Sequence, residues 1–155
     1  MVIEKTMNKL LKFIVEYLSF LYSDYEAVIS STKIDKEHSS YNGVIYLKIN
    51  DLIIKISLDR DQLFIDFKST LHKKTDYFSH DLVWALITSK IKDELFNKED
   101  VVFLHRYMDK ILELFAENNY LNTEKKLKKL RKKRMKKIDE CNFEVSPFNN
   151  INTFI

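Results

Sequence analysis

The sequence predicts an α+β domain in which an antiparallel meander of about four strands is covered by an N-terminal amphipathic helix and by C-terminal helices. Three observations predict this class: apolar and polar residues alternate from Gly43 to Lys68, a helical apolar stripe precedes that stretch, and further helical stripes follow it. A period of two is typical of half-buried strands, and a period of 3.6 of amphipathic helices. With 155 residues, 45% of them hydrophobic, the chain can bury one core of its own.

Two groups of turn-forming residues, Asn50-Asp51 and residues 59–62, divide the alternating stretch into three strands. A two-residue loop at the first predicts that Ile49 faces Leu52, and a four-residue loop at the second predicts that Leu58 faces Leu63. Both registers gather the same apolar residues on one face, which a slip of one residue would turn toward water. The opposite face then carries Tyr46, Lys48, Ile53, Lys55, Phe64 and Asp66, with Lys55 opposite Asp66.

The residues before the meander supply its cover and its first strand. A helix is predicted between about residues 3 and 22, because Met7, Leu10, Leu11, Ile14, Leu18 and Leu21 recur at helical spacing. Residues 26–34 are rich in β-branched side chains and predict a strand. The polar stretch after them predicts a loop that ends at Asn42-Gly43, the strongest turn dipeptide in the chain.

The residues after the meander predict a loop, a short helix and two longer helices. Asp81 begins the short helix, DLVWALITSKI, with Leu82, Val83, Leu86 and Ile87 inward. Asn97 and Asp100 have the spacing of a helix cap and predict a long helix through Asn118. A final basic helix is expected over residues 123–138. We expect residues 1–138 to form one domain and residues 139–155 to be a frayed tail.

The charge is distributed unevenly along the chain. Residues 1–120 carry 16 Lys and Arg against 19 Asp and Glu, a net charge of −3, whereas residues 121–155 carry 10 against 4, a net charge of +6. Such a basic helix could neutralise phosphates, although it contains no aromatic residue to stack on bases. A solvated helix is the ordinary alternative. Its cationic residues are Lys125, Lys126, Lys128, Lys129, Arg131, Lys132, Lys133, Arg134, Lys136 and Lys137.

The sequence has no recognisable catalytic or metal motif. Its four histidines lie at no ligand spacing, so we expect solvated histidines, no metal and no cofactor. A single Gly argues against a glycine-rich phosphate cradle, and we predict that the protein is not an enzyme. The lone Cys141 cannot form an internal disulfide, which favours the cytoplasm. Lys12 and Glu16 interrupt the N-terminal apolar run, so no membrane segment is expected.

Acidic residues in the central loops, together with aromatic residues on the polar sheet face, predict a surface for another protein. Charge complementarity would speed the encounter, and aromatic side chains would anchor the complex. We expect these acids to make the surface acidic overall and suited to a basic partner. The residues that we single out for partner binding are Tyr46, Lys55, Asp59, Arg60, Asp61, Phe64, Asp66, Asp76 and Tyr77.

The order of these features resembles a known family. A strand ending in DRDQLFIDF, the segment DLVWALI, a long helix and the terminal KKLKKLRKKRMKK together resemble small bacterial immunity proteins, which are encoded beside polymorphic or contact-dependent toxins. The likeness covers about Tyr41 to Ile138. It implies a cytoplasmic protein that binds one cognate toxin domain, a nuclease being one candidate, and blocks its active site. The alternative function is nucleic-acid association through residues 123–138.

Overall fold

A computed structural model describes residues 2–37, 40–71, 74, 76–92 and 94–140 of the chain. The predicted α+β class is confirmed, and the helices lie at both ends of the sequence. In chain order the elements are α1 (Val2–Tyr17), α2 (Phe20–Ser23), β1 (Val28–Glu37), β2 (Ser40–Ile49), β3 (Leu52–Asp59), β4 (Gln62–Ser69), β5 (Phe78–Ser79), α3 (His80–Thr88), α4 (Lys98–Phe115) and α5 (Glu117–Glu140).

The five strands form one antiparallel sheet in the order of the sequence. The predicted registers are confirmed, since Ile49 pairs with Leu52 and Leu58 pairs with Leu63. The second loop is shorter than expected, because Asp59 pairs with Gln62 and only Arg60 and Asp61 remain in the turn. Both turn residues have positive φ, 47° and 62°, so they follow the right-handed twist of the hairpin.

The sheet has one strand more than the predicted four. β5 lies in the stretch expected to be a loop, where Phe78 pairs with Phe67 of β4. Two residues are too few to show an alternation, which is why the pattern did not reveal this strand. At the other edge, β1 is longer than expected and contains a register shift between Ile29 and Ser31, the signature of a β-bulge.

The turn expected at Asn42-Gly43 is wrong, because both residues lie within β2. Gly43 pairs with Ile34 on one side and with Leu58 on the other. A Cβ atom at this position would lie 2.9 Å from Thr6 Cγ2 and 3.0 Å from Leu10 Cδ1. The glycine therefore serves the close approach of α1 to the sheet. Residues 38–39, between the end of β1 and the start of β2, lie outside the described residues.

We call the covered side of the sheet the core face. α1 packs across β2 and β3 on this side. α4 reaches the same side, where the Phe115 ring lies 6.1 Å from the Phe67 ring. Alternate residues of β3 and β4 are buried, as the sequence pattern predicted. The fully buried core includes Leu10, Ile14, Ile45, Leu47, Ile56, Phe67, Phe78, Phe115 and Tyr120.

The helix boundaries differ from the expectation in three places. α3 ends at Thr88, before the end of the predicted helix DLVWALITSKI, because Ser89 adopts a left-handed conformation. The N-terminal helix is divided at Leu18 and Ser19 into α1 and α2. α4 ends at Phe115 rather than at Asn118, because Ala116 adopts an extended conformation and α5 begins directly after it. The expected restart at Asn122 or Thr123 is therefore wrong. The predicted capping box of Asn97 and Asp100 is present at the start of α4.

The contact between α1 and Gly43 gives a test of this packing. We expect Gly43→Ala to lower the free energy of unfolding by about 1–3 kcal/mol, because the new methyl group overpacks a filled interface. Urea denaturation measures the change. Thr6→Ser removes the nearest methyl group, so the double variant should recover part of the loss. Wild-type stability of Gly43→Ala would show that α1 shifts freely and would contradict the assignment.

Candidate functional site

The outer face of the sheet, opposite the core face, contains the centre of the predicted binding surface. Tyr46 pairs with Lys55, which pairs with Asp66, and these three side chains form one row across β2, β3 and β4. Phe64 lies on the same face opposite Ser57 and is 37% exposed. Core-face residues of these strands are buried, whereas these four are half-buried or exposed. The structure therefore brings together four of the predicted residues.

A cluster of aromatic rings and ammonium groups occupies the centre of the outer face. The rings of Tyr46 and Tyr77 lie 6.4 Å apart. Lys55 Nζ lies 5.5 Å from the Tyr77 ring centre, and Lys68 Nζ lies 5.2 Å from it. These distances are within the range of cation–π attraction. Lys68 was not among the predicted site residues, because its contact with Tyr77 depends on where the irregular chain after β4 returns.

The ionisable groups of this cluster are partly withdrawn from water. Burial raises the pKa of Asp66 above its usual value, and the ammonium group of Lys55, 3.6 Å away, opposes that rise. The carboxylate of Asp81 adds to the rise. Burial also raises the pKa of the Tyr77 hydroxyl, and Tyr46 and Asp66 raise it further. A partner that covered this cluster would meet groups that are already partly desolvated, which lowers the cost of association.

The charge of the outer face differs from the expectation. Its two central rows contain Lys48, Lys55 and Lys68 against Asp66 alone, so the centre is basic rather than acidic. The predicted acids Asp59 and Asp61 lie at the β3–β4 turn, beyond these rows. Asp61 forms an ion pair of 2.6 Å with Lys9 of α1, and Arg60 lies 3.3 Å from Asp59. The turn therefore forms a rim at one edge of the outer face, and its charged side chains are paired.

Asp76 lies apart from the turn and contacts the basic helix. Arg131 places one guanidinium nitrogen 3.1 Å from Asp76 and donates from another to the Tyr77 carbonyl at 2.6 Å. The same guanidinium lies 4.5 Å from the centre of the Phe78 ring. Arg134 forms an ion pair with Asp81 at the start of α3. Two arginines of α5 therefore attach this helix to the segment that includes β5.

The other cations of α5 face away from the domain. Tyr120, Thr123 and Leu127 are buried on the inner side of the helix, whereas Leu130 is half-buried. Lys128 pairs with Glu124 at 3.1 Å. Among the described side chains, no ion pair involves the remaining seven lysines, which are Lys125, Lys126, Lys129, Lys132, Lys133, Lys136 and Lys137.

A buried ionic cluster joins α3, the following loop and α4. Asp100 is fully buried, forms an ion pair with Lys92 and accepts a hydrogen bond of 2.6 Å from the Asn97 N–H. Burial raises the pKa of Asp100, against the influence of Lys92 and Asn97. Lys92 also lies 5.5 Å from the Trp84 ring centre. The cluster fixes the start of α4 relative to the loop.

His80 corrects the expectation of solvated histidines. Its side chain is buried among the rings of Phe67, Trp84, Phe96 and Phe103. Nδ1 lies 3.5 Å from Asp100 Oδ1, and neither that oxygen nor His80 Nε2 has a hydrogen-bond partner among the described residues. Burial, followed by the nearby Lys92 charge, lowers the pKa of His80 to about 3. The ring is therefore neutral at physiological pH and serves as part of the core.

The ion pair predicts a coupled effect of two substitutions. We expect Lys92→Met to cost about 3–5 kcal/mol of unfolding free energy at pH 7, because it leaves a buried carboxylate without a counter-ion. The double variant Lys92→Met, Asp100→Asn should recover much of that loss, since the amide oxygen can still accept from Asn97. Urea denaturation of all four proteins measures the coupling. Additive losses would contradict a direct interaction.

The neutral His80 predicts a loss of stability in mild acid. Its pKa in the folded protein lies below the value of 6.5 that is usual for the unfolded chain, so the unfolded state binds the proton first. The neutral ring therefore contributes its full stabilising free energy above the unfolded pKa of 6.5. This contribution to the free energy of unfolding falls by about 2 kcal/mol between pH 7 and pH 5. His80→Leu should remove this part of the pH dependence in urea titrations. His105→Leu, which changes an exposed histidine, should retain it.

Two searches of the described residues concern other kinds of site. No group of three or more His, Cys, Asp or Glu side chains among them is arranged to hold a metal ion. Within the same residues, no helix combines the length and the apolar character needed to cross a membrane. Cys141 and the tail from residue 141 onward lie outside the described part of the chain, whereas residues 139 and 140 belong to α5.

We compared the chain with protein-family models, with curated protein sequences and with solved structures. None of the three comparisons found a match.

Proposed function

We propose that the protein is an immunity protein, which binds a cognate bacterial toxin domain through the outer face and blocks its active site. The observation that carries this proposal is the cluster of Tyr46, Tyr77, Lys55 and Lys68, with Phe64 exposed beside it. Partly exposed aromatic side chains at the centre of a surface are typical of residues that dominate the energy of a protein complex.

The rigidity of the outer face supports this role. Its side chains stand on strands whose other face is buried, so the backbone beneath them is fixed by the core. Lys55 and Asp66 hold each other in place across β3 and β4. A surface fixed in advance loses little conformational entropy when a partner binds. This favours tight inhibition by a preformed surface over a mechanism that requires folding on binding.

The charge of the outer face defines the surface that we expect on the toxin. The central lysines would attract carboxylates, and the aromatic side chains would fill apolar pockets between them. The rim at Asp59 and Asp61 would lie at the edge of the complex, where charges mainly affect the rate of encounter. The proposed interface is therefore aromatic and basic at its centre, where Asp66 pairs with Lys55, and the acids Asp59 and Asp61 lie at one edge.

The direct test is a binding assay with a toxin domain, which we expect to be encoded by a neighbouring gene. We expect a 1:1 complex and protection of cells that express the toxin. The double variant Tyr46→Ala, Phe64→Ala should bind at least about thirtyfold more weakly, because it removes two anchors of the interface.

The matched control changes two exposed apolar residues on helices. Val15 and Val102 are 69% and 57% exposed, so Val15→Ala, Val102→Ala removes a similar kind of surface elsewhere and should leave affinity unchanged. Equal binding by the two double variants would exclude the outer face as the interface. Failure of the wild-type protein to bind or to protect would overturn the immunity function itself.

A further inference from the structure

We propose that α5 carries a second binding surface, a straight row of four lysines that binds the phosphate backbone of double-stranded nucleic acid. We call this row the lysine ridge. It consists of Lys125, Lys129, Lys132 and Lys136. The proposal is independent of the proposed inhibition of a toxin, because the ridge and the outer face share no residue.

The ridge follows from the geometry of an α-helix. Positions i, i+4, i+7 and i+11 fall within about 60° of one another around a helix of 3.6 residues per turn, and they span about 16 Å along its axis. Leu127 lies about 180° from the centre of this row by the same count. Because Leu127 is fully buried, the ridge faces away from the domain, and all four of its lysines are exposed.

The ion pairs of α5 determine which of its ten cations are available to bind a ligand. Arg131 and Arg134 contact Asp76 and Asp81, and Lys128 contacts Glu124. The ridge lysines form no ion pair among the described side chains. The structure thus separates three cations that pair with carboxylates from seven lysines, the ridge among them, that form no ion pair among the described side chains. This division was not visible in the sequence, where all ten appear equivalent.

Charge complementarity favours a duplex as the ligand. One strand of a duplex has a phosphate about every 3.4 Å along the axis, so the ridge is long enough to lie along about five of them. The ridge contains no aromatic side chain, which argues against stacking on single-stranded bases. A membrane is disfavoured because an interfacial helix inserts an apolar face, and here the apolar face of α5 is buried against the domain.

The test measures how duplex affinity depends on salt. Four phosphate contacts predict that the association constant of the full chain for a mixed-sequence DNA duplex falls about a hundredfold between 50 and 200 mM salt. Lys129→Ala, Lys132→Ala, Lys136→Ala leaves one ridge lysine, so its affinity should fall only about threefold to fourfold over this range. Unrelated duplex sequences should bind equally, because phosphate contacts do not distinguish bases.

The control removes the same charge from the side of the helix. Lys126, Lys133 and Lys137 lie about 70–110° from the centre of the ridge and are also exposed. Lys126→Ala, Lys133→Ala, Lys137→Ala should keep most of the wild-type salt dependence. Alanine favours helix formation, so both triple variants should retain α5, as circular dichroism would verify.

Each other outcome overturns the proposal. If the two triple variants lost equal amounts of duplex affinity and salt dependence, only the net charge of α5 would matter. Absence of duplex binding by the wild-type protein at 50 mM salt would remove the site. Tighter binding to single strands would assign the ridge to another ligand, as would ridge-dependent binding to vesicles of phosphatidylserine and phosphatidylcholine without duplex binding.

Discussion

The structure depends on the burial of one face of the sheet under α1 and α4. Ile45, Leu47, Ile56 and Phe67 are fully excluded from water on this face. Because successive side chains of a strand point to opposite sides, burying this set fixes the β2–β3 and β3–β4 registers and also determines which residues form the outer face. The composition of the outer face is therefore a consequence of how the core is packed. A shift of one residue would exchange the two faces.

The close packing of α1 determines how precisely the helix and the sheet are positioned relative to each other. The helix approaches β2 at Gly43, where Thr6 and Leu10 occupy the space that a side chain would need. An interface filled to this extent transmits small displacements rather than absorbing them. Lys9 of the same helix reaches Asp61 in the β3–β4 turn. One helix thus covers the core and also holds the turn that borders the outer face.

Sequence reasoning succeeded where a long periodic pattern had one physical explanation. The alternation in β2, β3 and β4, together with the positions of the two turns, determined the registers, because a slip of one residue would turn the buried apolar set toward water. Asn97 and Asp100 were recognised as a cap, because that interaction is local to four residues.

It failed where tertiary contacts decide the structure. The dipeptide Asn42-Gly43 is typical of a turn, yet Gly43 lies within β2. The glycine is needed there because α1, a helix distant in sequence, approaches the strand closely. His80 is buried because three elements converge around it, and no spacing of histidines could have indicated that. The break at Ala116 precedes the expected Asn118-Asn119 stop, since residues of α5 such as Tyr120 must turn back onto the core. The alternation placed Tyr46, Lys55, Phe64 and Asp66 on the outer face, but Asp61 and Asp76 lie outside its central rows, in ion pairs with Lys9 and Arg131, which no local pattern encodes.

The edge strand β1 has a consequence for how separate molecules meet. It lies at one edge of the sheet, and its residues 28–33 are all exposed, Val28 and Ile29 among them. The bulge between Ile29 and Ser31 interrupts the regular spacing of the backbone groups of β1, and Lys33 adds a charge that a second sheet would have to accommodate. The bulge and the lysine oppose the pairing of β1 with an edge strand of another molecule, which is the first step of aggregation through sheet edges.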